Sequence, residues 1–380
     1  MFKKRKIVSV LLAIITVFGV FTSLPFSASA AETNSESVGE TYTSGDFGYE
    51  IRERYNYDTE QYYEIAVITD YNGTDESVSV PSQLGGCNVT DIGDGAFSDC
   101  TSLTSITIPD GVTSIGKSAF YGCTSLTSIT IPNGVTSIGP SAFFYCTSLV
   151  SITIPNGVTS IGESAFDGCT SLASITIPDS VTSIGEFAFY GCTSLTSITV
   201  ADNNQSYCDV DGVLFNKDKT ELVQYPAGKT SASYSIPNSV TEIGDGAFSY
   251  CTSLVSITIP NGVTSIGNNA FYGCTSLVSI TIPNGVTSIG NNAFYGCTSL
   301  ASITIPDTVT KIGYSAFKNC TSLKKIALPD GVSSLGMSLF SGCTSLENIT
   351  IPNNITDLGY MTFSDCTSLT SITIPDGVTS

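Results

Sequence analysis

Apolar and polar residues alternate along this chain in a pattern that returns every 23 residues. In the copy beginning at Cys100, the apolar positions are Leu103, Ile106, Ile108, Val112, Ile115, Ala119 and Phe120. An Ile-Gly pair marks each copy, with its isoleucine at positions 92, 115, 138, 161, 184, 243, 266, 289 and 312, and leucine takes that place at 335 and 358. Only the step from 184 to 243 is longer, by 36 residues. A fixed period of this length predicts a solenoid of eleven coils with one long insertion.

The pattern within one copy predicts mainly β structure. Ile106 and Ile108 alternate with Ser105 and Thr107, as in a half-buried strand. The P-D-G sequence that follows predicts a turn, residues 112–115 a second short strand, and residues 118–120 a single helical turn. One coil cannot bury its own apolar side chains, so we expect neighbouring coils to stack around a continuous core.

The repeat L-x-x-I-x-I-P-x-x-V-x-x-I-G-x-x-A-F-x-x-C resembles the BspA-like (Treponema pallidum-type) leucine-rich repeat. The resemblance covers roughly residues 80–380. It implies a right-handed leucine-rich-repeat solenoid with short parallel strands and one-turn helices. Members of that family are surface and secreted proteins of bacteria and some protists, and they resemble adhesins that bind host or neighbouring-cell proteins. The family brings no catalytic residues, so the resemblance implies none here.

The N-terminal residues have the features of a secretory signal peptide. Residues 3–6 are basic, residues 7–21 are apolar, and Ala28-Ser29-Ala30 is an A-x-A cleavage site. We therefore expect a cleaved signal peptide at 1–30, a flexible linker at 31–45, an N-terminal β cap at 46–91 and the solenoid at 92–380. A retained membrane anchor is the alternative, although the apolar run is short for a span. No later stretch is apolar enough to span a membrane, so we expect no span after cleavage.

The insertion at about 202–240 contains a predicted β-hairpin that turns at residues 217–219. It forms either an elongated coil that protrudes from one face or a loop that holds a ligand, because insertions in solenoids often lie on the binding side.

The last residues, 366–380, follow the repeat pattern closely. A terminal repeat usually differs, because its outer face must be polar. We therefore expect the sequence to be truncated at its C-terminus.

The charge of the chain argues against nucleic acid as a partner. Without the four basic residues of the signal peptide, 10 basic residues remain against 33 acidic ones, a net charge of −23. Phosphate recognition needs clusters of Lys and Arg, and the excess of acidic residues after residue 30 argues against such recognition. The absence of histidine removes Ser-His-Asp and Cys-His nucleophile chemistry. A carboxylate pair for glycoside hydrolysis stays open, but no pair stands out, and we expect no enzyme activity, metal or cofactor.

Eleven of the 13 cysteines fall at one position of the repeat. They are Cys100, Cys123, Cys146, Cys169, Cys192, Cys251, Cys274, Cys297, Cys320, Cys343 and Cys366. Stacked coils would place them in a ladder of parallel side chains that do not face one another as disulfide partners do. We expect a structural ladder of mostly free, buried thiols, which indicates an anaerobic bacterium. Cys87 and Cys208 lie off the ladder.

Two rows of residues are candidates for binding a ligand. The first is the outward face of the predicted strands, with serine and threonine in each coil. Its threonines are Thr107, Thr130, Thr153, Thr176, Thr199, Thr258, Thr281 and Thr304. These hydroxyls either solvate a sheet face or form a broad binding surface for protein or glycan. A lattice-matching surface for ice or another crystal is a further alternative, by analogy alone.

The second row is aromatic and follows the phenylalanine of each repeat. Its members are Tyr121, Phe144, Tyr190, Tyr272 and Tyr295. These side chains either stack on each other along one edge of the solenoid or present an exposed interface, where aromatic residues are enriched.

The sequence thus predicts a secreted or cell-surface scaffold that recognises an extracellular protein or glycan without catalysis. One alternative is a targeting module for an enzyme or cell-wall domain beyond residue 380. Another is a structural spacer with no saturable ligand.

Overall fold

Short parallel strands, stacked coil upon coil, make up most of this protein. The computed structural model describes residues 40–379. These residues all belong to one compact unit. The predicted signal peptide and residues 31–39 of the predicted linker therefore lie outside the described residues.

A β cap precedes the coils. Its strands are β1 (Thr41–Ser44), β2 (Phe47–Asn56), β3 (Gln61–Tyr71), β4 (Ser77–Ser79), β5 (Gln83–Leu84) and β6 (Cys87–Ile92). Strands β1, β2 and β3 pair antiparallel in sequence order, and β3 pairs parallel with β6. Strand pairing thus starts at Thr41, inside the segment expected to be a flexible linker.

Each coil before the insertion contributes one strand around its Ser-Ile-Thr sequence and one two-residue strand at its Ser-Ile sequence. They are β7 (Ser105–Thr107), β8 (Ser114–Ile115), β9 (Ser128–Thr130), β10 (Ser137–Ile138), β11 (Ser151–Thr153), β12 (Ser160–Ile161), β13 (Ser174–Ile177), β14 (Ser183–Ile184) and β15 (Ser197–Val200).

The insertion adds three antiparallel strands, and the later coils resume the alternation. The insertion strands are β16 (Tyr207–Val210), β17 (Val213–Asn216) and β18 (Glu221–Gln224). The later strands are β19 (Ser233–Ser235), β20 (Glu242–Ile243), β21 (Ser256–Thr258), β22 (Ser265–Ile266), β23 (Ser279–Thr281), β24 (Ser288–Ile289), β25 (Ser302–Thr304), β26 (Lys311–Ile312), β27 (Lys325–Ala327) and β28 (Asn348–Thr350).

The strands form two columns of in-register parallel sheet. The long-strand column runs β4-β7-β9-β11, then β13-β15, β19-β21-β23-β25 and β27-β28. The short-strand column runs β3-β6-β8-β10-β12-β14 and resumes as β18-β20-β22-β24-β26. Equivalent positions stack directly, as with Thr130 on Thr153 and Ile138 on Ile161. The 23-residue period therefore becomes a vertical repeat of about 4.8 Å.

A third ladder replaces the predicted one-turn helices, which do not form in the described part of the chain. In the coil at Ser118, the backbone N–H groups of Ser118 and Phe120 donate to Pro140 and Ala142 of the next coil, both at 2.8 Å. The N–H of Ala119 instead donates within its own coil, to Gly116. Ser118 has φ 54°, a left-handed conformation that interrupts an α-helix. The prediction of helices was wrong because alternate amide groups here bond between coils.

Stacked phenylalanine rings occupy the centre of the core. Each lies above the next with ring centroids 5.1–5.8 Å apart and ring planes within about 12° of parallel. The first stack contains Tyr71, Phe97, Phe120, Phe143, Phe166 and Phe189, and the second contains Tyr225, Phe248, Phe271, Phe294, Phe317, Phe340 and Phe363. The insertion separates the two stacks, and the apolar core divides there into two clusters.

The cysteine ladder lies beside the phenylalanine stacks. Ten of its members are buried, and Cys100 at the first coil is partly exposed. The Cys123 Sγ donates to the carbonyl of Phe97 at 3.1 Å, and the same contact recurs at Cys297 with Phe271. Cysteine therefore acts as a small buried donor at this position. All thirteen thiols are free.

We predict that native protein exposes three thiols to an aromatic disulfide reagent, at Cys87, Cys100 and Cys208, which are the partly exposed ones. Burial raises the pKa of Cys100 to about 11, so its reaction at pH 8 should be the slowest of the three. In 8 M urea, a concentration chosen to unfold the chain, all 13 cysteines should react. Fast reaction of additional thiols in the native state, or fewer than 13 after unfolding, would contradict the ladder of free, buried cysteines.

Candidate binding surfaces

The outward side of the long-strand column, here called the strand face, carries the predicted hydroxyl array. It consists of the serine and threonine residues that flank the central isoleucine of each strand. All eight predicted threonines are exposed, while the isoleucine between each serine and threonine is buried. The strand pleat produces this arrangement because alternate side chains point to opposite sides.

The hydroxyl groups of the strand face differ from those of two other threonine rows. In one of these rows Thr159 Oγ1 donates to the carbonyl of Thr136 at 3.2 Å, and in the other Thr170 Oγ1 donates to Thr147 at 3.2 Å. Such bonds repeat from coil to coil. In contrast, no strand-face threonine makes a side-chain hydrogen bond anywhere in residues 40–379. The strand-face threonines therefore offer donors and acceptors that the fold does not use, although Ser105 Oγ in the first panel donates to Ser77 Oγ at 3.0 Å.

The spacing of these hydroxyls suits multivalent hydrogen bonding. Neighbouring coils repeat at about 4.8 Å, and residues two apart on a strand lie about 6.6–6.8 Å apart. A hydroxyl donates one hydrogen bond and accepts two, so the surface can pair with peptide or sugar groups. The face changes character at β27 and β28, where Lys325, Ala327 and Asn348 replace the repeat residues.

The insertion limits the strand face near the middle of the chain. Gly212 lies so close to β15 that an added Cβ would stand 2.5 Å from Ser197 Oγ. The backbone N–H of Ile198 also donates to the carbonyl of Gly212 at 2.9 Å. Two panels of the strand face result, one from β7 to β15 and one from β21 to β25.

The predicted aromatic row forms ring contacts along one edge. Tyr121 stacks on Phe144 with centroids 5.0 Å apart, and Tyr272 stacks on Tyr295 at 4.7 Å. Tyr190 contacts Tyr272 at 5.9 Å across the insertion. Burial, with further effects of Tyr250 and Tyr295, raises the pKa of Tyr272 to about 12. Of the four tyrosines predicted here, Tyr121 is exposed, and the other three are half-buried by these contacts.

Two tyrosines that the sequence analysis did not single out also belong to this edge. Tyr145 and Tyr250 occupy the position where most coils have glycine, and both have φ 57°. Tyr250 contacts Tyr190 at 5.3 Å, and Tyr145 contacts Phe144 at 4.6 Å. The predicted row contains only the residue directly after each repeat phenylalanine. Tyr145 and Tyr250 come one residue later and were therefore missed. The sequence signal that could have identified them is tyrosine at a position where most coils have glycine.

Asp167 occupies a position in this row between Phe144 and Tyr190. It is half-buried near Tyr190, Cys169 and Cys192, and no ion pair within residues 40–379 includes it. Burial without a cation disfavours the carboxylate and raises the pKa of Asp167 to about 7.

Two concavities of the described residues are small. One of about 200 Å³ lies beside Tyr71, Asp75 and Asp99, and one of about 80 Å³ lies beside Phe187 and Glu221. Both are below the roughly 300–1,000 Å³ of typical ligand pockets. An extended surface is therefore the stronger candidate site. No helix long and apolar enough to cross a membrane occurs between residues 40 and 379.

Comparison with known proteins identifies the repeat. Residues 88–211, 227–320 and 287–380 match a family described as BspA type Leucine rich repeat region. A search of curated proteins gives no match.

Several solved bacterial structures share the fold. A leucine-rich repeat protein of Eubacterium ventriosum is 29% identical, with 86% of this chain and 90% of that chain covered and a TM-score of 0.67. A leucine rich cell surface protein of Faecalibacterium prausnitzii is 30% identical, with coverage of 88% and 94% and a TM-score of 0.59. The pneumococcal vaccine antigen PcpA is 25% identical, with coverage of 90% and 93% and a TM-score of 0.62.

We predict that Asp167→Asn stabilises the protein at pH 8 but hardly at pH 4. The folded pKa lies above the unfolded value near 3.9, so the native state binds the proton more tightly between pH 4 and 7. Wild-type stability should therefore fall as pH rises through that window, and the asparagine variant should lack this component. After allowance for partial solvent screening, we expect a gain of about 1–2 kcal/mol at pH 8, measured by urea unfolding.

Asp110→Asn is the matched control, because Asp110 is exposed and the next coil has Asn133 at that position. Equal effects of the two substitutions at pH 8 would show that the burial of Asp167 is not the cause.

Proposed function

Because the chain belongs to the BspA type leucine-rich repeat family, we propose that it is a secreted or cell-surface scaffold that binds an extracellular protein or glycan through its strand face. The family match and the bacterial neighbours support a surface-type repeat scaffold. No catalytic family is indicated among these matches, and recognition without catalysis is the function that the repeat geometry suits best.

One observation supports the strand face over the aromatic row. The strand-face threonines are exposed and their hydroxyls are unused within the described residues, whereas Tyr190, Tyr272 and Tyr295 are half-buried in contact with each other or with Tyr250. A partner can therefore bond to the strand face without disrupting packing. On the aromatic edge it would compete with existing ring contacts.

The partner chemistry follows from the composition of the face. Serine and threonine carry no charge, so attraction from a distance is weak and affinity must come from many short contacts. The repeated coils provide many such contacts. Ligands with repeating groups, such as glycans or extended protein segments, can make several of them at once and so gain the most affinity.

We predict that lysine substitutions on the strand face weaken saturable binding. The strand-face variant changes Thr130, Thr153, Thr176, Thr258, Thr281 and Thr304 to Lys. Residues 31–380, as purified protein, are tested on an array of extracellular-matrix proteins, mucins and glycans. For each ligand that wild type binds, the affinity of the variant should be at least about tenfold lower (about 1.4 kcal/mol per tenfold). The reason is that the bulky lysine side chains would hold the ligand away from the strand face.

The matched control places the same six charges on a different exposed row. It changes Thr136, Thr159, Thr182, Thr264, Thr287 and Thr310 to Lys. These residues also lie in two groups of three successive coils, so both variants have the same composition and the same coil-to-coil spacing of added lysines. The control also removes hydroxyl bonds between coils, so its result counts only if it keeps the wild-type fold. Circular dichroism checks the folding of both. Binding that survives in the strand-face variant, or that both variants lose equally, would contradict the proposal, as would absence of binding by wild type.

A further inference from the structure

The hairpin of β2 and β3 extends beyond the sheet that it starts. β1 pairs only with residues 47–50 of β2, and β6 pairs only with residues 65–68 of β3. Between them lie residues 52–64, here called the ribbon. Apart from Arg52, which pairs with Ile65, the paired residues of the ribbon pair only with each other among the described residues. The ribbon is therefore a two-stranded projection and not part of the solenoid core.

The turn of the ribbon is held by local bonds. Asn56 pairs with Gln61, and Asn56 Oδ1 accepts hydrogen bonds from the N–H groups of Asp58 and Thr59 at 2.9 and 3.0 Å. Glu60 closes the turn with φ 51°. The tip thus has a defined shape before any partner arrives, which lowers the entropic cost of binding.

One side of the ribbon, here called the tyrosine face, concentrates aromatic rings. Tyr55 lies directly opposite Tyr62, with ring centroids 5.0 Å apart. Tyr57 packs edge-on against Tyr55, also at 5.0 Å. Their exposed fractions are 38% for Tyr55, 71% for Tyr62 and 79% for Tyr57. Rings so exposed contribute little to the fold, yet tyrosine is a favoured contact residue at interfaces.

Two carboxylates lie on the same side, next to the rings. Glu53 and Glu64 are directly opposite each other in the strand register and two residues from Tyr55 and Tyr62. Both are exposed, and neither is in an ion pair among residues 40–379. The Cys87 Sγ approaches Glu64 Oε2 at 3.9 Å, a weak contact. Like charges directly opposite on paired strands are destabilising, so the fold itself gains nothing from this placement.

The arginines of the ribbon lie on the side opposite the tyrosine face. Arg52 bonds to Glu50, and Arg54 bonds to Asp91 at 2.8 Å. Cross-strand alternation places these arginines away from Tyr55 and Tyr62. The tyrosine face therefore combines aromatic rings with negative charge alone.

We propose that the tyrosine face docks an arginine- or lysine-bearing segment of another protein. Guanidinium and ammonium groups are attracted to the faces of aromatic rings, and arginine is the more frequent partner. Glu53 and Glu64 supply the opposing charge for the same group, and a bound cation would remove the repulsion between them. A neutral glycan could stack on the rings but would leave this repulsion uncompensated. The net charge of −23 that remains without residues 1–30 adds attraction for basic partners.

The test measures binding of fluorescein-labelled ten-residue peptides by anisotropy. The probes alternate threonine with arginine, lysine or glutamate, and are titrated with purified protein at low and moderate salt. We expect saturable binding of the arginine peptide, weaker binding of the lysine peptide and none of the glutamate peptide. Y55S/Y57S/Y62S should weaken the arginine complex at least about tenfold, and E53Q/E64Q should weaken it and flatten its salt dependence.

The control variants make the same chemical changes elsewhere. Tyr314→Ser with Tyr360→Ser removes two other exposed tyrosines, and Glu163→Gln with Glu186→Gln removes two other exposed carboxylates. Both should retain the wild-type affinity. Equal losses in ribbon and control variants would reduce the effect to general attraction by an acidic protein and overturn the proposal. So would a wild-type protein that binds none of the basic peptides.

The binding tests of the ribbon and of the strand face are independent, because they change different residues. The strand-face substitutions leave residues 52–64 unchanged, and the ribbon substitutions leave all eight strand-face threonines unchanged.

Discussion

Direct stacking of each coil on the next is the constraint on which this structure depends. The phenylalanine rings repeat at 5.1–5.8 Å, and the parallel strands hold equivalent residues in register. A shift by one residue would expose the isoleucines and bury the hydroxyls, because strand side chains alternate between faces. The regular strand face, the threonine rows and the cysteine ladder are all consequences of the same register.

The insertion shows how the stack is interrupted and begins again. In the cap, the antiparallel β2–β3 hairpin leads to Tyr71, which stacks on Phe97 at 5.4 Å and 29°. In the insertion, the antiparallel β17–β18 hairpin leads to Tyr225, which stacks on Phe248 at 5.3 Å and 28°. Both hairpins then pair parallel with the short-strand column. The insertion thus begins a second stack as the cap begins the first.

Side chains of the insertion replace the partners that a regular coil would have provided. Tyr207 Oη accepts a hydrogen bond from the N–H of Ile184 at 2.9 Å, in the last short strand before the break. The fully buried Asn204 donates to the carbonyls of Pro178 and Val181 at 2.7 and 3.0 Å. Buried backbone groups need such partners. The insertion is therefore integrated into the solenoid, with Leu214 in one core cluster and Phe215 in the other.

Most of the architecture was accessible from the 23-residue period, because the same residues recur at each coil and the stacking of one coil predicts the others. The period gave the strands, the buried isoleucines and the cysteine ladder. It could not give the turn at Ser118, since its left-handed residue and its bonds between coils depend on the neighbouring coil. The period also could not predict the ribbon, which lies outside the repeats. There the only signal was local, with Tyr55, Tyr57, Tyr62 and Tyr63 crowded around one turn, and pairing register was needed to place Glu53 beside them.

Urea unfolding of Phe294→Ala tests the dependence on stacking most directly. Phe294 is fully buried between Phe271 and Phe317, at 5.2 and 5.5 Å. Loss of its ring should cost about 3–5 kcal/mol, with amide hydrogen exchange accelerating in the coils on both sides. A loss below about 1 kcal/mol, or faster exchange confined to its own coil, would show that the coils hold together by some other means.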